Sequence, residues 1–186
     1  MQVVSGSVFG EFEAHIDWCD SQNHKQFEEH RNVRVYGTPG GTRIVDLRMT
    51  FRMTERQVTF RDTKEGGFVS VRVATSMDVD HGGRIENAYG GINETETWGK
   101  PAPWCDYSGF ADGQHVGIAI LEHESNPRHP TGWHVRNYGL MTANSFAWNH
   151  FRPETGIPGD MTLPKGSETT WRYRLFIHRG NARAGG

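Results

Sequence analysis

Alternation of apolar and polar side chains is the feature of this sequence that most restricts its fold. In the segment "IVDLRMTFRM", Val45, Leu47, Met49, Phe51 and Met53 fall on one face, and the residues between them are charged or hydroxylated. A period of two is that of a β-strand with one buried face, whereas a helix needs apolar residues three or four apart. The segment therefore predicts a half-buried antiparallel strand.

The same period recurs in four further segments, which are "EFEAHIDW", "FVSVRVA", "HVGIAIL" and "TWRYRLFIH". Turn sequences lie between them, and "YGTPGGT" at 36–42 predicts a hairpin that joins 31–36 to 43–53. Only "SQNHKQFEEHR" at 21–31 resembles a helix start, and without apolar periodicity it is predicted as a loop or a single turn. We predict an all-β fold, an antiparallel β-sandwich of roughly nine to twelve short strands. At this length one domain over residues 1–186 is expected.

Composition excludes several classes of partner. The net charge is −2, and the basic residues are dispersed, which does not favour nucleic acid. No apolar run reaches the roughly 18 residues of a membrane span, and the N-terminus lacks a signal-peptide pattern. A soluble chain of unknown compartment is expected. Cys19 and Cys105 are far apart in the sequence and are predicted to be reduced thiols.

Three loops depart from alternation, and the first is "RDTKEGGF" at 61–68. Glycines in a left-handed conformation are common in turns between strands, so a structural role is one interpretation. In the other interpretation, Lys64 and Glu65 project from a strand end toward a ligand, and the glycines allow a close approach of the backbone.

Aromatic rings surround a carboxylate in the second loop, "WGKPAPWCDYSG" at 98–109. Rings stack on the C–H faces of sugars while carboxylates accept from sugar hydroxyls, so Trp104, Asp106 and Tyr107 are candidates for a sugar site. The alternative is an aromatic cluster that covers the open end of the sandwich, and we favour it for Trp98.

Three histidines occur in the third loop, "EHESNPRHPTGWHVRNYG" at 122–139. The spacings between His123, His129 and His134 match no common metal motif, so we predict no metal and no other cofactor. In a structural alternative, the asparagine and prolines lock the loop while histidines and arginines bind backbone carbonyls. If "GWHVRNYGL" is a strand, His134, Arg136 and Tyr138 share one face.

These loops carry a family resemblance. The segments "DTKEGGFVSVRVA", "WGKPAPWCDYSG", "GQHVGIAILEHESNPRHPTGWHVRNYGLMTAN" and "YRLFIHRG" resemble, in this order, the motifs of a bacterial family labelled methane oxygenase PmoA, a domain of unknown function. The chain looks like the central and C-terminal part of that family. The label implies a membrane-embedded monooxygenase subunit, which a sequence without a membrane span contradicts, so we take the label as a misnomer.

The resemblance implies a β-rich, sugar-associated protein whose fold is similar to part of the supersandwich of aldose mutarotases. Relatives usually carry a further N-terminal segment with its own histidines, and they read Asn-Ser-Glu-Gly where this chain has "ENAYGG" at 86–91. A reduced site is therefore expected. The polar positions that match the family's motifs are Asp62, Lys64, Glu65, Trp104, Asp106, Tyr107, His123, Asn126, Arg128, His129, Trp133, His134, Arg136, Tyr138 and Asn144.

These residues predict a carbohydrate-active domain that binds a saccharide or keto-sugar and moves a proton on it, as in epimerisation, ring opening or elimination. Arginine would stabilise an oxyanion. The predicted catalytic residues are His123 or His134 as the acid and Glu65 or Asp106 as the base, with Arg128 or Arg136 as the arginine. The predicted substrate-binding residues are Lys64, Trp104, Tyr107, Asn126, Arg128, His129, Trp133, Arg136, Tyr138 and Asn144.

The alternative is a non-catalytic carbohydrate-binding or accessory module, in which rings and amides suffice, so the sequence leaves open whether the chain is an enzyme. A small-molecule carbohydrate is the expected partner under both hypotheses, without nucleic acid or membrane. Assembly as a homo-oligomer or with a partner subunit is also left open.

Overall fold

The computed structural model describes residues 2–185, and in this range the chain forms thirteen strands and three short α-helices. The strands are β1 (Gln2–Ser5), β2 (Phe9–Cys19), β3 (Lys25–Tyr36), β4 (Arg43–Arg52), β5 (Val58–Phe60), β6 (Val69–Arg72), β7 (Arg84–Asn87), β8 (Trp104–Ala111), β9 (Gln114–Glu122), β10 (Gly132–Arg136), β11 (Leu140–Asn144), β12 (Met161–Leu163) and β13 (Glu168–Arg179). The helices are α1 (Asn93–Thr97), α2 (Trp148–Phe151) and α3 (Ala182–Gly185). Single 3-10 turns lie at Thr75–Met77, Val79–His81 and Pro153–Thr155.

Eight strands form a large antiparallel sheet in the order β1-β2-β3-β4-β13-β9-β8-β7. The predicted hairpin is confirmed, because β3 and β4 pair with Tyr36 opposite Ile44. The turn between β8 and β9 has Asp112 and Gly113 at positive φ, the conformation that a two-residue hairpin turn requires. The five strands predicted from alternation are all present.

A small sheet of three strands, β10-β11-β6, packs against one face of the large sheet. Side chains of both sheets fill the core between them, among them Phe51, Ile120 and Trp171 from the large sheet and Trp133, Val135 and Met141 from the small one. The pair β5–β12 brings Phe60 against Phe51 and Trp171 at one end of this core. The predicted antiparallel β-sandwich is therefore confirmed.

The prediction of a loop or a helical turn at 21–31 is wrong over most of that segment. From Lys25 onward it is strand β3, which pairs with β2 on one side and β4 on the other. Phe27 packs edge-on against Phe51, and buried Glu29 accepts from Trp18 Nε1 at 2.9 Å. Alternation is hidden in the sequence because the inward positions include a glutamate and an arginine instead of apolar residues alone.

Both cysteines are free, as predicted, with Cys19 exposed and Cys105 buried. Burial raises the pKa of the Cys105 thiol well above its usual value. None of the helices between residues 2 and 185 has the length and apolarity that a membrane crossing requires.

Candidate functional site

His134 lies on the outer face of the small sheet because of the strand period. Its neighbours Trp133 and Val135 are fully buried in the core, so His134 and Arg136 point away from it. In the ladder, His134 pairs with Thr142, and Thr142 pairs with Ser70. Only 1% of His134 is exposed, even though it faces outward. Other side chains must therefore cover it.

Trp98 covers the His134 imidazole and determines which ring nitrogen carries the proton. Trp98 Nε1 donates to His134 Nδ1 at 3.2 Å, so Nδ1 is an acceptor and the ring proton is on Nε2. Burial, and after it the charge of Arg136, lowers the pKa of His134, which keeps the ring neutral. His134 Nε2 has no hydrogen-bond partner and lies 3.6 Å from Glu65 Oε2. The ring is a fixed neutral donor beside a carboxylate.

Glu65 reaches His134 because its loop lies directly on strand β11. Asn144 Nδ2 donates to the carbonyls of Thr63 and Lys64, at 2.9 and 3.1 Å. Gly67 has a φ of +142°, and a Cβ there would lie 2.5 Å from the Ala143 carbonyl oxygen. The functional interpretation had the glycines allow the backbone to approach a ligand, whereas here Gly67 lets the loop approach the neighbouring strand. Glu65 itself is exposed for 63% of its side chain, with Lys64 Nζ 3.8 Å away.

Helix α1 supplies a second wall of the site. Glu94 accepts from Arg136 Nη1 at 2.6 Å and from the backbone N–H of Asn137 at 2.9 Å. The Arg136 guanidinium lies 5.9 Å from the Trp98 ring centroid, and Phe151 packs edge-on against that ring. An open cleft of about 700 Å³ lies between these side chains. We name Glu65, Trp98, His134 and Arg136 the small-sheet site.

Trp98 and Glu94 were not among the predicted site residues. Trp98 was predicted to belong to an aromatic cluster over the open end of the sandwich, and here it covers His134 instead. The available signal was their spacing, because residues i and i+4 share one face of a helix. In "NETETWGK" this spacing places Glu94 beside Trp98.

The large sheet holds the other two predicted catalytic residues, so the three loops do not converge. Asp106 lies between the buried Cys105 and Tyr107, which face the core, and it therefore points to the outer face of the large sheet. His123 follows β9 on that same face, and its backbone N–H donates to the Arg172 carbonyl. The expected combination of Asp106 or His123 with Glu65 and His134 is therefore wrong. Asp106 instead lies 2.6 Å from His178 Nε2, a hydrogen bond that raises the pKa of His178.

Several predicted binding residues act within the fold instead. Arg128 donates to the carbonyls of Ser145, Gly159 and Asp160. Asn126 exchanges two hydrogen bonds with the backbone of Arg172, and His129 Nδ1 lies 3.1 Å from Glu122 Oε1. These contacts match the structural alternative, in which the third loop is locked in place.

Trp133 and Tyr107 are fully buried and bond to backbone carbonyls, of Ala102 and of Asn137 respectively. Trp104 and Tyr138 are also accessible. Trp104 is half-buried on the outer face of the large sheet, and Tyr138 lies in the β10–β11 turn under the Arg72 guanidinium. Tyr138 does not belong to the strand face of His134, because β10 ends at Arg136.

The three histidines of the third loop lie in three different places. His134 is on the outer face of the small sheet, His123 is on that of the large sheet, and His129 contacts the buried Glu122. Across residues 2–185, no three His, Cys, Asp or Glu side chains are grouped so that they could hold a metal ion.

Comparison with known proteins gives a family and a distant structural likeness. The family model described as "Family of unknown function (DUF6807)" matches residues 1–186. Its description does not mention methane oxygenase, so that label finds no support. No curated protein matches the chain. The chain is similar to the crystal structure of a GalM/aldose epimerase homologue from C. elegans, with 10% identity and a TM-score of 0.37, over 96% of this chain and 69% of that one. A likeness this weak supports no functional inference.

Proposed function

Since the chain belongs to a family of unknown function, DUF6807, we propose its function from the site itself: it is a carbohydrate-active domain that binds a saccharide or keto-sugar at the small-sheet site and transfers a proton there. The observation that carries this proposal is the buried, neutral His134. Trp98 fixes its tautomer, and its N–H faces the Glu65 carboxylate.

A neutral N–H donor and a carboxylate base side by side are the parts that proton transfer beside a carbonyl needs. The cleft next to them is lined by Trp98, which contacts His134, and by Arg136. The His134 Nε2–H would donate to the carbonyl or ring oxygen of the sugar. Glu65 would accept the proton from carbon or hydroxyl, since its exposed side chain can move toward a ligand. The separation of 3.6 Å exceeds a hydrogen bond, so neither group is committed to the other.

The remaining groups of the cleft suit a sugar. The Trp98 and Phe151 rings supply apolar surface for C–H faces, while Lys100 supplies a donor for hydroxyls. Arg136, held by Glu94, supplies positive charge that would stabilise an enolate oxygen. Lys64 adds a further cation near Glu65.

The test is proton exchange on a panel of sugars and keto-sugars in D₂O, followed by NMR as loss of the α-proton signal and as anomeric exchange. We expect His134→Gln and Glu65→Gln each to slow exchange about 100-fold or more, the usual contribution of a general acid or base. His123→Gln is the matched control and should exchange at the wild-type rate, because His123 lies on the other sheet. No exchange above buffer from folded wild-type protein would refute the enzymatic proposal.

The alternative, a non-catalytic carbohydrate-binding module, is favoured by one observation: Glu65 is largely exposed and lies on a loop, so the base is not rigidly held. Direct binding measurements separate the two functions. In a module, sugars bind to wild type without exchange, and Trp98→Ala weakens binding because the stacking surface is lost. In the enzyme, His134→Gln retains binding and loses exchange.

A further inference from the structure

The outer face of the large sheet carries rows of charged side chains that run across neighbouring strands. In one row Glu11, Arg34, Asp46 and Arg174 stand opposite one another on β2, β3, β4 and β13. Their charges are neutralised within the row. Arg34 pairs with Glu11, and Arg174 binds both oxygens of Asp46, at 2.6 and 2.8 Å.

The next row is different, because it has two cations side by side without a carboxylate partner. It consists of Glu13, Asn32, Arg48 and Arg172 in register. Among the described residues, neither Arg48 nor Arg172 forms an ion pair, and the one polar side-chain contact of Arg172 is its Nη1 bond to Ser125 Oγ at 2.9 Å. Glu11, which Arg34 already binds, interacts with Arg48 through its charge alone, so the two guanidinium groups still repel each other unless an anion lies between them.

His123 extends this second row. Its Nδ1 accepts from the backbone N–H of Ser125 at 3.1 Å, so the proton of the neutral ring is on Nε2 and the free side of the ring is a donor. Arg48, Arg172 and His123 line one cavity of about 510 Å³. The carboxylates that also line it, those of Glu11, Glu13, Asp46 and Glu122, each accept a hydrogen bond from another residue. The free polar atoms of Arg48, Arg172 and His123 are all donors, which is the chemistry that binds an oxyanion.

A second cavity adjoins the first, and it offers a hydrogen-bond acceptor instead of donors. It measures about 210 Å³, and Leu121 lines both cavities. The Oδ1 atom of Asp106 is buried there without a hydrogen-bond partner, while the other oxygen is held by His178. The half-buried Trp104 ring lies beside Asp106. An unpartnered buried carboxylate oxygen next to a ring suits a hydroxyl donor on an apolar C–H face.

We propose that the outer face of the large sheet binds an acidic saccharide, with its carboxylate on Arg48, Arg172 and His123 and a neighbouring sugar ring on Trp104 and Asp106. Along β9, the position opposite Asp106 and His123 are four residues apart, roughly 13 Å at the ordinary strand rise. This distance exceeds one sugar ring, so the ligand is an oligosaccharide that contains a uronic acid. The site is separate from the small-sheet site and does not depend on the function proposed there.

Isothermal titration with the full chain tests this proposal, with digalacturonate as the acidic probe, a neutral disaccharide as its counterpart and inorganic sulfate as the oxyanion alone. We expect digalacturonate to bind at least tenfold more tightly than the other two, and added salt to weaken it. Arg172→Gln and Arg48→Gln should each lose about tenfold in affinity. Arg52→Gln is the matched control on the strand of Arg48, because Glu168 already holds that guanidinium outside the cavity, and it should bind as wild type does.

Three outcomes would overturn the proposal: equal binding of the acidic and neutral probes, sulfate binding as tightly as digalacturonate, or equal loss in Arg172→Gln and Arg52→Gln. Thermal unfolding of each variant confirms that it is folded. Failure of the small-sheet function is seen separately. That function is measured as proton exchange on sugars, whereas this proposal is measured as the binding of digalacturonate to wild type, Arg48→Gln and Arg172→Gln.

Discussion

At the scale of single residues, the same side-chain type has different chemistry at different depths. Burial lowers the pKa of His134, whose Nδ1 accepts from the Trp98 N–H, whereas the hydrogen bond to Asp106 raises the pKa of His178. Glu65 is an exposed carboxylate, whereas Glu122 is buried and accepts from the backbone N–H of Thr131. Reactivity therefore follows the surroundings of each group more than its identity.

Glu122 gives a prediction for stability against pH. Desolvation raises its pKa from 4.5 to about 7. Between these values the folded chain retains a proton that the unfolded chain has lost, so the free energy of unfolding falls as pH rises from 4.5 to 7. Glu122→Gln still accepts from Thr131 and has no charge to desolvate, so its stability relative to wild type should rise by roughly 3 kcal/mol across this range.

Urea unfolding of both proteins at several pH values measures that difference, in which the titration of other groups cancels. His129 Nδ1, 3.1 Å from Glu122, and the buried Tyr173 on the facing strand are the groups whose contribution could change with the substitution. His129→Gln, alone and combined with Glu122→Gln, measures the coupling to His129. A gap between wild type and Glu122→Gln that is constant with pH would contradict the assignment.

At the scale of elements, the loop before β6 is positioned by the strand on which it lies. Gly67 can approach Ala143 only because it lacks a side chain and adopts a φ of +142°. We expect Gly67→Ala to lift the loop, destabilise the protein by about 2 kcal/mol and separate Glu65 from His134. The readouts are the midpoint of urea unfolding and the NMR shifts of the His134 ring.

Gly40→Ala is the control for this substitution. Gly40 also has a positive φ, but a Cβ there would meet nothing within 4 Å, so only the backbone strain of about 1 kcal/mol is expected and the His134 shifts should not move. If both variants left the His134 ring unchanged, the loop would not be what holds Glu65 in place.

At the scale of the whole molecule, the small sheet covers only part of the large one. Phe51 on β4 is fully buried against Phe68 and Trp171, whereas Phe12 on β2, Val3 and Val35 remain between 38% and 67% exposed. We expect Phe51→Ala to lower the free energy of unfolding by about 4 kcal/mol and Phe12→Ala by about 1 kcal/mol. Denaturant unfolding of the pair measures this, and equal losses would mean that the β1–β3 end is covered in solution.

The sequence by itself determined the fold class, because a period of two needs no knowledge of contacts. It also identified Glu65, His134 and Arg136 as candidates, since each departs from what a buried strand or plain turn would carry. Only the tertiary structure decided which candidates meet. Strand pairing placed Asp106 and His123 on one sheet and His134 on the other, and no local pattern records which sheet a strand joins. The pairing of His134 with Trp98, 36 residues apart, depends on chain packing between distant segments, which side-chain periodicity cannot encode.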